Sequence, residues 1–354
     1  MKKIILVGGG TGGHCLPIKV LFNSLIQKKI DCYIVTDKRG KHFFNSINQD
    51  KVLTLWQFVE SNRTISQIIN IPFLFIQSIM IYLKLNPRFT IGFGGFITFP
   101  FILSGSFMNY KVAAHEANAV VGKANRLLLR NIKYLFTAFR NTKNTNKISS
   151  KKIVHVGLPI RVYRGSINKS KELKDSFIFS VIGGSQGAKD FSKCVPKAIQ
   201  MFQAESTMKC FVNHQGLEDD LKFIKNFYCR SKINSDVKSY FSDMPKIIFE
   251  SDLIISRSGS STVNEIIFYN KPSVLVPYPY AADNHQYYNA LSVLEQISNS
   301  TIILNKDLNS RILYLEILKI FKNTKKRKYI GNSVSRISYS NPSECIYNFI
   351  KNDL

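Results

Sequence analysis

The sequence predicts an α/β protein made of two Rossmann-like, mononucleotide-binding domains, and three observations predict it. An apolar run, Ile4-Ile5-Leu6-Val7, leads straight into Gly8-Gly9-Gly10-Thr11-Gly12-Gly13-His14. About half a chain later, Phe177 to Ile182 leads in the same way into Gly183-Gly184-Ser185-Gln186-Gly187-Ala188. Elsewhere, β-rich apolar runs alternate with longer helical stretches, the rhythm of a parallel sheet with crossover helices. Glycine suits the two turns because its backbone can take φ > 0 and come close to a ligand. A length of 354 residues also favours two cores over one.

In the first half, Ile4 to Val7 predicts a buried strand, Pro17 to Lys28 a helix and Asp31 to Thr36 the next strand. Thr90 to Gly94, Lys111 to His115, Tyr134 to Ala138 and Lys152 to Val156 predict the remaining strands. The polar stretch Asn141 to Lys152 reads as a surface loop, and Gly157-Leu158-Pro159 punctuates the chain as an interdomain linker. The expected domains are therefore 1–158 and 159–337. In the second, Phe177 to Ile182, Lys209 to Asn213, Asp236 to Tyr240, Leu253 to Ser256 and Ser273 to Pro277 predict strands, with helices after them.

Met1-Lys2-Lys3 is followed by only four apolar residues before the glycines, so it reads as the lead into a strand and not as a secretion signal. Ile68 to Leu85 is almost wholly apolar but is broken by Asn70, Pro72, Gln77, Ser78 and Lys84. It falls short of the roughly 20 apolar residues that a membrane span requires. Two readings stand: a helix buried against the sheet, or an interfacial helix with Arg63, Lys84 and Arg88 facing anionic headgroups.

The net charge of +26 points to an anionic partner or to an AT-rich codon bias that favours Lys, Asn and Ile together. The lysines are scattered and no aromatic-interleaved basic stripe occurs, so nucleic acid is not an expected partner. The six cysteines (15, 32, 194, 210, 229 and 345) form no CxxC pair, which speaks against a zinc ribbon or a disulfide framework.

Four blocks carry candidate chemistry. His14, at the mouth of the first glycine loop, is a candidate general base; its alternative role is to bond the backbone at a helix start. Thr36-Asp37 stands where the acidic, ribose-binding residue of a dinucleotide fold would fall. His115-Glu116-Ala117-Asn118-Ala119-Val120 leaves the carboxyl end of a strand, where open parallel sheets bind ligands, although Asn118 read alone is equally a helix cap. Arg257-Ser258-Gly259-Ser260-Ser261-Thr262-Val263-Asn264-Glu265 offers free N–H groups to a phosphate at a helix start. Glu265, a turn further in, can accept both hydrogens of a ribose diol. Asp283, His285 and Gln286, in the polar loop after Pro277, are candidates for holding sugar hydroxyls.

Taken together, GGGTGGH, HEANAV, GLPIR, GGSQGA, RSGSSTVNEI and DNHQYYNA, in this order and spacing, resemble the MurG family. Its members are UDP-N-acetylglucosamine:lipid I N-acetylglucosaminyltransferases of peptidoglycan synthesis, and the resemblance spans roughly residues 1 to 295. It implies the GT-B fold, two Rossmann-like domains with an interdomain cleft, the first completed by a C-terminal helix over 338–354. It implies UDP-N-acetylglucosamine as donor on the second domain and lipid I as acceptor on the first, with inversion at the anomeric carbon.

Carried over residue by residue, Thr11, Gly12 and Gly13 would line the donor sugar and diphosphate. Asn118 and Gln286 would contact the GlcNAc moiety, Arg161 would reach the donor and Ser185 the phosphates. The backbone of Phe241 would read uracil. Ser260, Ser261, Thr262, Val263, Asn264 and Glu265 would hold phosphate and ribose, with His14 as the base. No DxD motif is present, so no metal ligand and no obligatory cofactor are expected. Ala117 stands where relatives usually have Gln, and His285 where some have a second Gln. The resemblance also implies a peripheral protein on the cytoplasmic face of the bacterial inner membrane, with an anionic phospholipid surface and other cell-wall synthesis proteins as partners. Phe73, Phe75, Ile79 and Tyr82 would be the membrane contacts.

Overall fold

The computed structural model describes residues 2–57, 64–163, 165, 176–184, 188–206, 208–326 and 341–354. It divides into two compact units, Met1–Arg161 with Tyr339–Leu354, and Val162–Ser338.

The first unit runs β1 (Lys3–Val7), α1 (Gly12–Gln27), β2 (Asp31–Thr36), β3 (Val52–Thr54), α2 (Thr64–Leu85), β4 (Phe89–Gly92), α3 (Thr98–Phe107), β5 (Val112–Glu116), α4 (Lys123–Leu128), β6 (Tyr134–Thr137) and β7 (Ile153–His155). Its sheet has the order β3-β2-β1-β4-β5-β6-β7, with every pairing parallel. Both faces are covered, which is why the strands read as near-continuous apolar runs. Side chains alternate along β1: Ile4 and Leu6 pack with Ile18 and Leu21 of α1, while Ile5 and Val7 pack with Leu74 and Tyr82 of α2, Phe101 of α3 and Leu128 of α4.

The second unit runs β8 (Ser176–Ile182), α5 (Lys189–Ser206), β9 (Lys209–Gln215), α6 (Glu218–Arg230), β10 (Asn234–Lys238), α7 (Met244–Glu250), β11 (Leu253–Ser256), α8 (Ser260–Tyr269), β12 (Ser273–Leu275), α9 (His285–Leu294), β13 (Thr301–Ile302) and α10 (Ser310–Lys326). Its sheet order, β10-β9-β8-β11-β12-β13, is the doubly wound 3-2-1-4-5-6 arrangement with the switch point between β8 and β11. Phe177, Phe179 and Val181 of β8 form one core with Phe191 and Phe202 of α5, Tyr228 of α6 and Phe321 of α10.

Several elements differ from the sequence expectation. Helix α1 starts at Gly12, and Pro17 lies inside it, so the Gly13 carbonyl receives no N–H from the next turn. The short strands β3 and β13 carry too few residues to register as apolar runs. The strand expected at Asp236 to Tyr240 lies two residues earlier, and Tyr240 is exposed.

Helix α2 is sided. Asn70, Leu74, Ser78, Tyr82 and Leu85 are buried, while Ile69, Phe73, Ile76, Met80 and Leu83 are exposed in one stripe. Phe75 and Ile79 are half-buried at its flanks. Tyr82 is a core residue and not a membrane contact: it is fully buried, with its ring 4.9 Å from Phe101 and 4.8 Å from Tyr110. Among the described residues no helix is long and apolar enough to cross a membrane.

The chain then returns to the first unit. Helix α11 (Pro342–Ile350), capped by the Asn341 side chain, buries Ile346 and Ile350 beside α1. Phe349 stands edge-on to Tyr134 and Phe136, at 4.7 and 5.7 Å. Beyond it, Asp353 takes ion pairs from Lys133 at 2.6 Å and Lys111 at 3.1 Å. Partial burial alone would raise this carboxyl, but the two lysines hold it below its ordinary value. Ile350→Ala is expected to cost about 2–5 kcal/mol, the range for truncating a buried aliphatic side chain. Urea denaturation of the full chain, followed by far-ultraviolet circular dichroism, measures it.

Candidate active site

In the first unit, the carboxyl ends of β1, β2 and β4 meet around the glycine loop. Thr11 caps α1 with extended backbone and makes no side-chain cap bond, and Thr11 is exposed with Gly12, Gly13 and His14 half-buried beside it. His14 Nδ1 donates to the Gly9 carbonyl at 3.2 Å. Since a carbonyl can only accept, Nδ1 carries a proton, and in the neutral form of the ring the lone pair is then on Nε2. The histidine thus bonds the loop backbone through Nδ1.

Asp37 does not serve a ribose. Its Oδ1 accepts N–H groups from Gly10 at 3.0 Å and Gly40 at 2.7 Å, and Arg39 approaches Oδ2 at 3.5 Å. A second glycine pair, Gly94-Gly95 after β4, closes the loop from the other side. Gly95 has φ +84°, and a Cβ there would lie 2.7 Å from the Gly9 carbonyl oxygen.

One strand further on, Glu116 organises the loop after β5. Its Oε1 accepts from the backbone and side-chain nitrogens of Asn118 at 3.0 and 3.2 Å. Its Oε2 accepts from Gly122 N and Asn125 Nδ2, both at 2.9 Å. Asn118 is not a helix cap, since α4 starts at Lys123 behind Gly122. Ala117 is buried. Arg161 ends the unit and is half-buried.

In the second unit, α8 opens at the carboxyl end of β11. Gly259 is its N-cap and has no side chain with which to cap. The first intrahelical bond is Val263 N–H to Gly259 O at 3.0 Å. The N–H groups of Ser260, Ser261 and Thr262 therefore have no acceptor within the helix and carry the positive end of its dipole. The buried hydroxyls of Ser256, Ser258 and Ser261 find no hydrogen-bond partner within the protein. Glu265 lies one turn after Ser261 on the same helix face and is 7% exposed.

Other residues of this block have internal roles. Val263 is fully buried and its N–H is taken by the Gly259 carbonyl. Asn264 donates from Nδ2 to Ser260 O at 2.8 Å. Arg257 is structural: it donates to Val276 O at 3.2 Å and Asn305 Oδ1 at 2.7 Å, with its guanidinium 5.0 Å from the Phe191 ring centroid.

After β12, Gln286 Oε1 accepts the Tyr278 N–H at 3.0 Å and His285 Nδ1 donates to Ala282 O at 2.8 Å. Asn289, buried in α9, donates to Ser258 O at 3.1 Å and ties that helix to the β11 loop. Phe241 is buried after β10, its ring centroid 5.4 Å from Lys238 Nζ. Ser185 lies outside the described residues. Among the described residues, no three His, Cys, Asp or Glu side chains come together as a metal site requires.

Residues 4–137 match the glycosyltransferase family 28 N-terminal domain and residues 178–336 its C-terminal domain. A UDP-N-acetylglucosamine--N-acetylmuramyl-(pentapeptide) pyrophosphoryl-undecaprenol N-acetylglucosamine transferase of Rickettsia bellii is 33% identical over 333 residues, 92% of each chain. That of Rickettsia canadensis is 31% identical over 331 residues, again 92% of each. The chain belongs to the MurG family of glycosyltransferases. The fold agrees: MurG of Acinetobacter baumannii superposes with a TM-score of 0.76 at 21% identity, covering 99% of this chain and 100% of that one. UDP-GlcNAc 2-epimerase from Neisseria meningitidis, bound to UDP-GlcNAc, shares the fold with a TM-score of 0.69 at 12% identity, over 99% and 100% of the chains.

Beside the MurG-family motifs, sequence reasoning missed Glu116 as an organiser, the Gly94-Gly95 clamp and the tie from Asn289. A double glycine directly after a predicted strand was the available signal for the clamp. It also did not anticipate His115. This side chain is buried, donates from Nε2 to Gly157 O at 2.9 Å, and leaves Nδ1 without a partner. Burial pushes it down to about 4. The unfolded chain takes up a proton near pH 6.5 that the folded one refuses until about pH 4. Stability from His115 is therefore full above pH 6.5 and lost as the pH falls toward 4. The urea midpoint is expected to drop across that window, with His115→Gln showing a shallower drop. His214, pushed down to about 3 by burial, supplies part of the remaining slope.

Proposed function

We propose that the protein transfers N-acetylglucosamine from UDP-N-acetylglucosamine to the C4 hydroxyl of the N-acetylmuramyl unit of lipid I, forming lipid II for peptidoglycan synthesis. The observation that carries this reading is the 33% identity, across 92% of the chain, to a transferase named for that donor group and that acceptor. The C4 hydroxyl is a very weak acid, so its attack on the anomeric carbon needs a base. His14 takes that proton on Nε2, with Nδ1 anchored to Gly9. Attack opposite the leaving group inverts the anomeric centre, giving the β-1,4 bond and releasing UDP.

Negative charge grows on the departing diphosphate. The N–H groups of Ser260, Ser261 and Thr262 stabilise it, aligned before the reaction and so needing no reorganisation. Ser185 joins them at the phosphates, Glu265 accepts from the ribose diol and the backbone of Phe241 reads uracil. Asn118 and Gln286 hold the donor sugar, with Thr11, Gly12, Gly13 and Arg161 along its path. No cofactor beyond the substrates takes part in this reading.

The acceptor's lipid stays in a bilayer, so the enzyme works as a peripheral protein on the cytoplasmic face of the inner membrane, beside other cell-wall enzymes. The exposed stripe Ile69, Phe73, Ile76, Met80 and Leu83 supports this, as do exposed Lys84 and Arg88 and the net charge of +26 facing anionic lipid. Of the four contacts first expected, Phe73 lies on the stripe and Phe75 and Ile79 border it.

Radiolabelled transfer to lipid I and to diacylglycerol tests the function; incorporation into diacylglycerol alone would overturn it. His14→Ala should lower kcat by about 10²-fold or more, with an unchanged kcat removing His14 as the base. Glu265→Ala should raise the KM for UDP-N-acetylglucosamine with kcat less affected. Phe73→Ser with Met80→Lys should release the protein from anionic liposomes at unchanged thermal stability; retained binding would remove the stripe from the interface.

A further inference from the structure

We propose that Asp37 is the positioning residue for His14, acting through the single peptide group between Gly9 and Gly10. Both ends of that peptide group are engaged. Its N–H, on Gly10, donates to Asp37 Oδ1 at 3.0 Å. Its carbonyl, on Gly9, accepts from His14 Nδ1 at 3.2 Å. A peptide group is planar and rigid, so fixing one end fixes the direction of the other. The result is one chain of hydrogen bonds: carboxylate, peptide, imidazole.

Asp37 is itself held firmly. It is 2% exposed, and Oδ1 also accepts the Gly40 N–H at 2.7 Å. Its carboxylate lies against the Gly9 backbone so closely that a Cβ on Gly9 would sit 2.7 Å from Oδ1. On Gly40, a Cβ would overlap Thr36 Oγ1 and reach 3.1 Å from Asp37 Oδ1, which explains a glycine at that position.

The chain has two effects. It selects the Nδ1–H tautomer and so leaves Nε2 as the proton acceptor. A carboxylate accepting the Gly10 N–H also polarises the peptide, making the Gly9 oxygen a stronger acceptor. That oxygen then favours the imidazolium that forms when His14 takes the acceptor's proton. In a Ser-His-Asp triad the carboxylate touches the imidazole directly; here one peptide group stands between them. This inference rests on His14 being the base.

The test uses the full-length enzyme with ¹⁵N-labelled histidine. In the parent, His14 should show the Nδ1–H tautomer by long-range ¹⁵N–¹H correlation. Asp37→Ala should move it toward the Nε2–H form that free imidazole side chains favour. It should also lower kcat by about tenfold or more, while the KM for UDP-N-acetylglucosamine stays within about twofold. Asp37→Asn keeps an acceptor oxygen and should lose less kcat than the alanine variant, and it covers the case in which that variant fails to fold. An unchanged tautomer in Asp37→Ala, or equal losses in the two variants, would overturn the proposal. The tautomer readout needs no turnover, so an unchanged kcat in His14→Ala would remove the base and still leave the positioning claim tested.

Discussion

Everything at the two candidate sites depends on parallel pairing. In a sheet whose strands all run one way, each crossover must re-enter at the amino edge, so every strand delivers its following loop to the same carboxyl edge. The order β3-β2-β1-β4 adds a second constraint. Crossovers from β1 travel in one direction first and the other direction later, so the helices after β1 and β4 cover opposite faces and their loops diverge. A gap opens between those loops. In the first unit it is filled by two glycine segments in contact, and in the second it receives the bare start of α8.

The two units expose different groups at that edge. The first unit presents loops held in place by buried carboxylates. Asp37 steadies the β1 loop and Glu116 the β5 loop, each through backbone N–H groups. The second unit presents mainly backbone N–H and small hydroxyls, which suits a diffuse negative charge spread over several oxygens. A carboxylate at the mouth of α8 would repel such a charge, and the cap residue there is glycine.

Much of this was legible in the sequence because it is local. Apolar runs marked the long strands, glycine after a strand marked the turns, and Ser260-Ser261-Thr262 after Gly259 marked a helix start. What was hidden is long-range. Asp37 meets Gly10 from 27 residues away and Arg257 meets Asn305 from 48 residues away, and no periodicity encodes such pairs. Helix α2 misled for another reason. It is apolar on nearly every side, so the pattern gives no phase, and two of its polar residues point inward. Ser78, buried, donates its hydroxyl to Leu74 O at 2.6 Å, which hides its polarity within the helix and leaves Tyr82 free to pack as core.

Helix α11 has a consequence for how the protein is made. Ile346 and Ile350 belong to the same buried cluster as Ile4 and Leu6, although most of the chain separates them. A ribosome releases the amino-terminal strands early, and domains ordinarily fold in that order. Here the second unit's residues all emerge before the first unit's last helix exists. The amino-terminal unit must therefore wait, with an apolar seam beside α1 uncovered, while the other has everything it needs to fold. The apolar surface that Ile346 and Ile350 will cover thus stays exposed for as long as the second unit takes to be made.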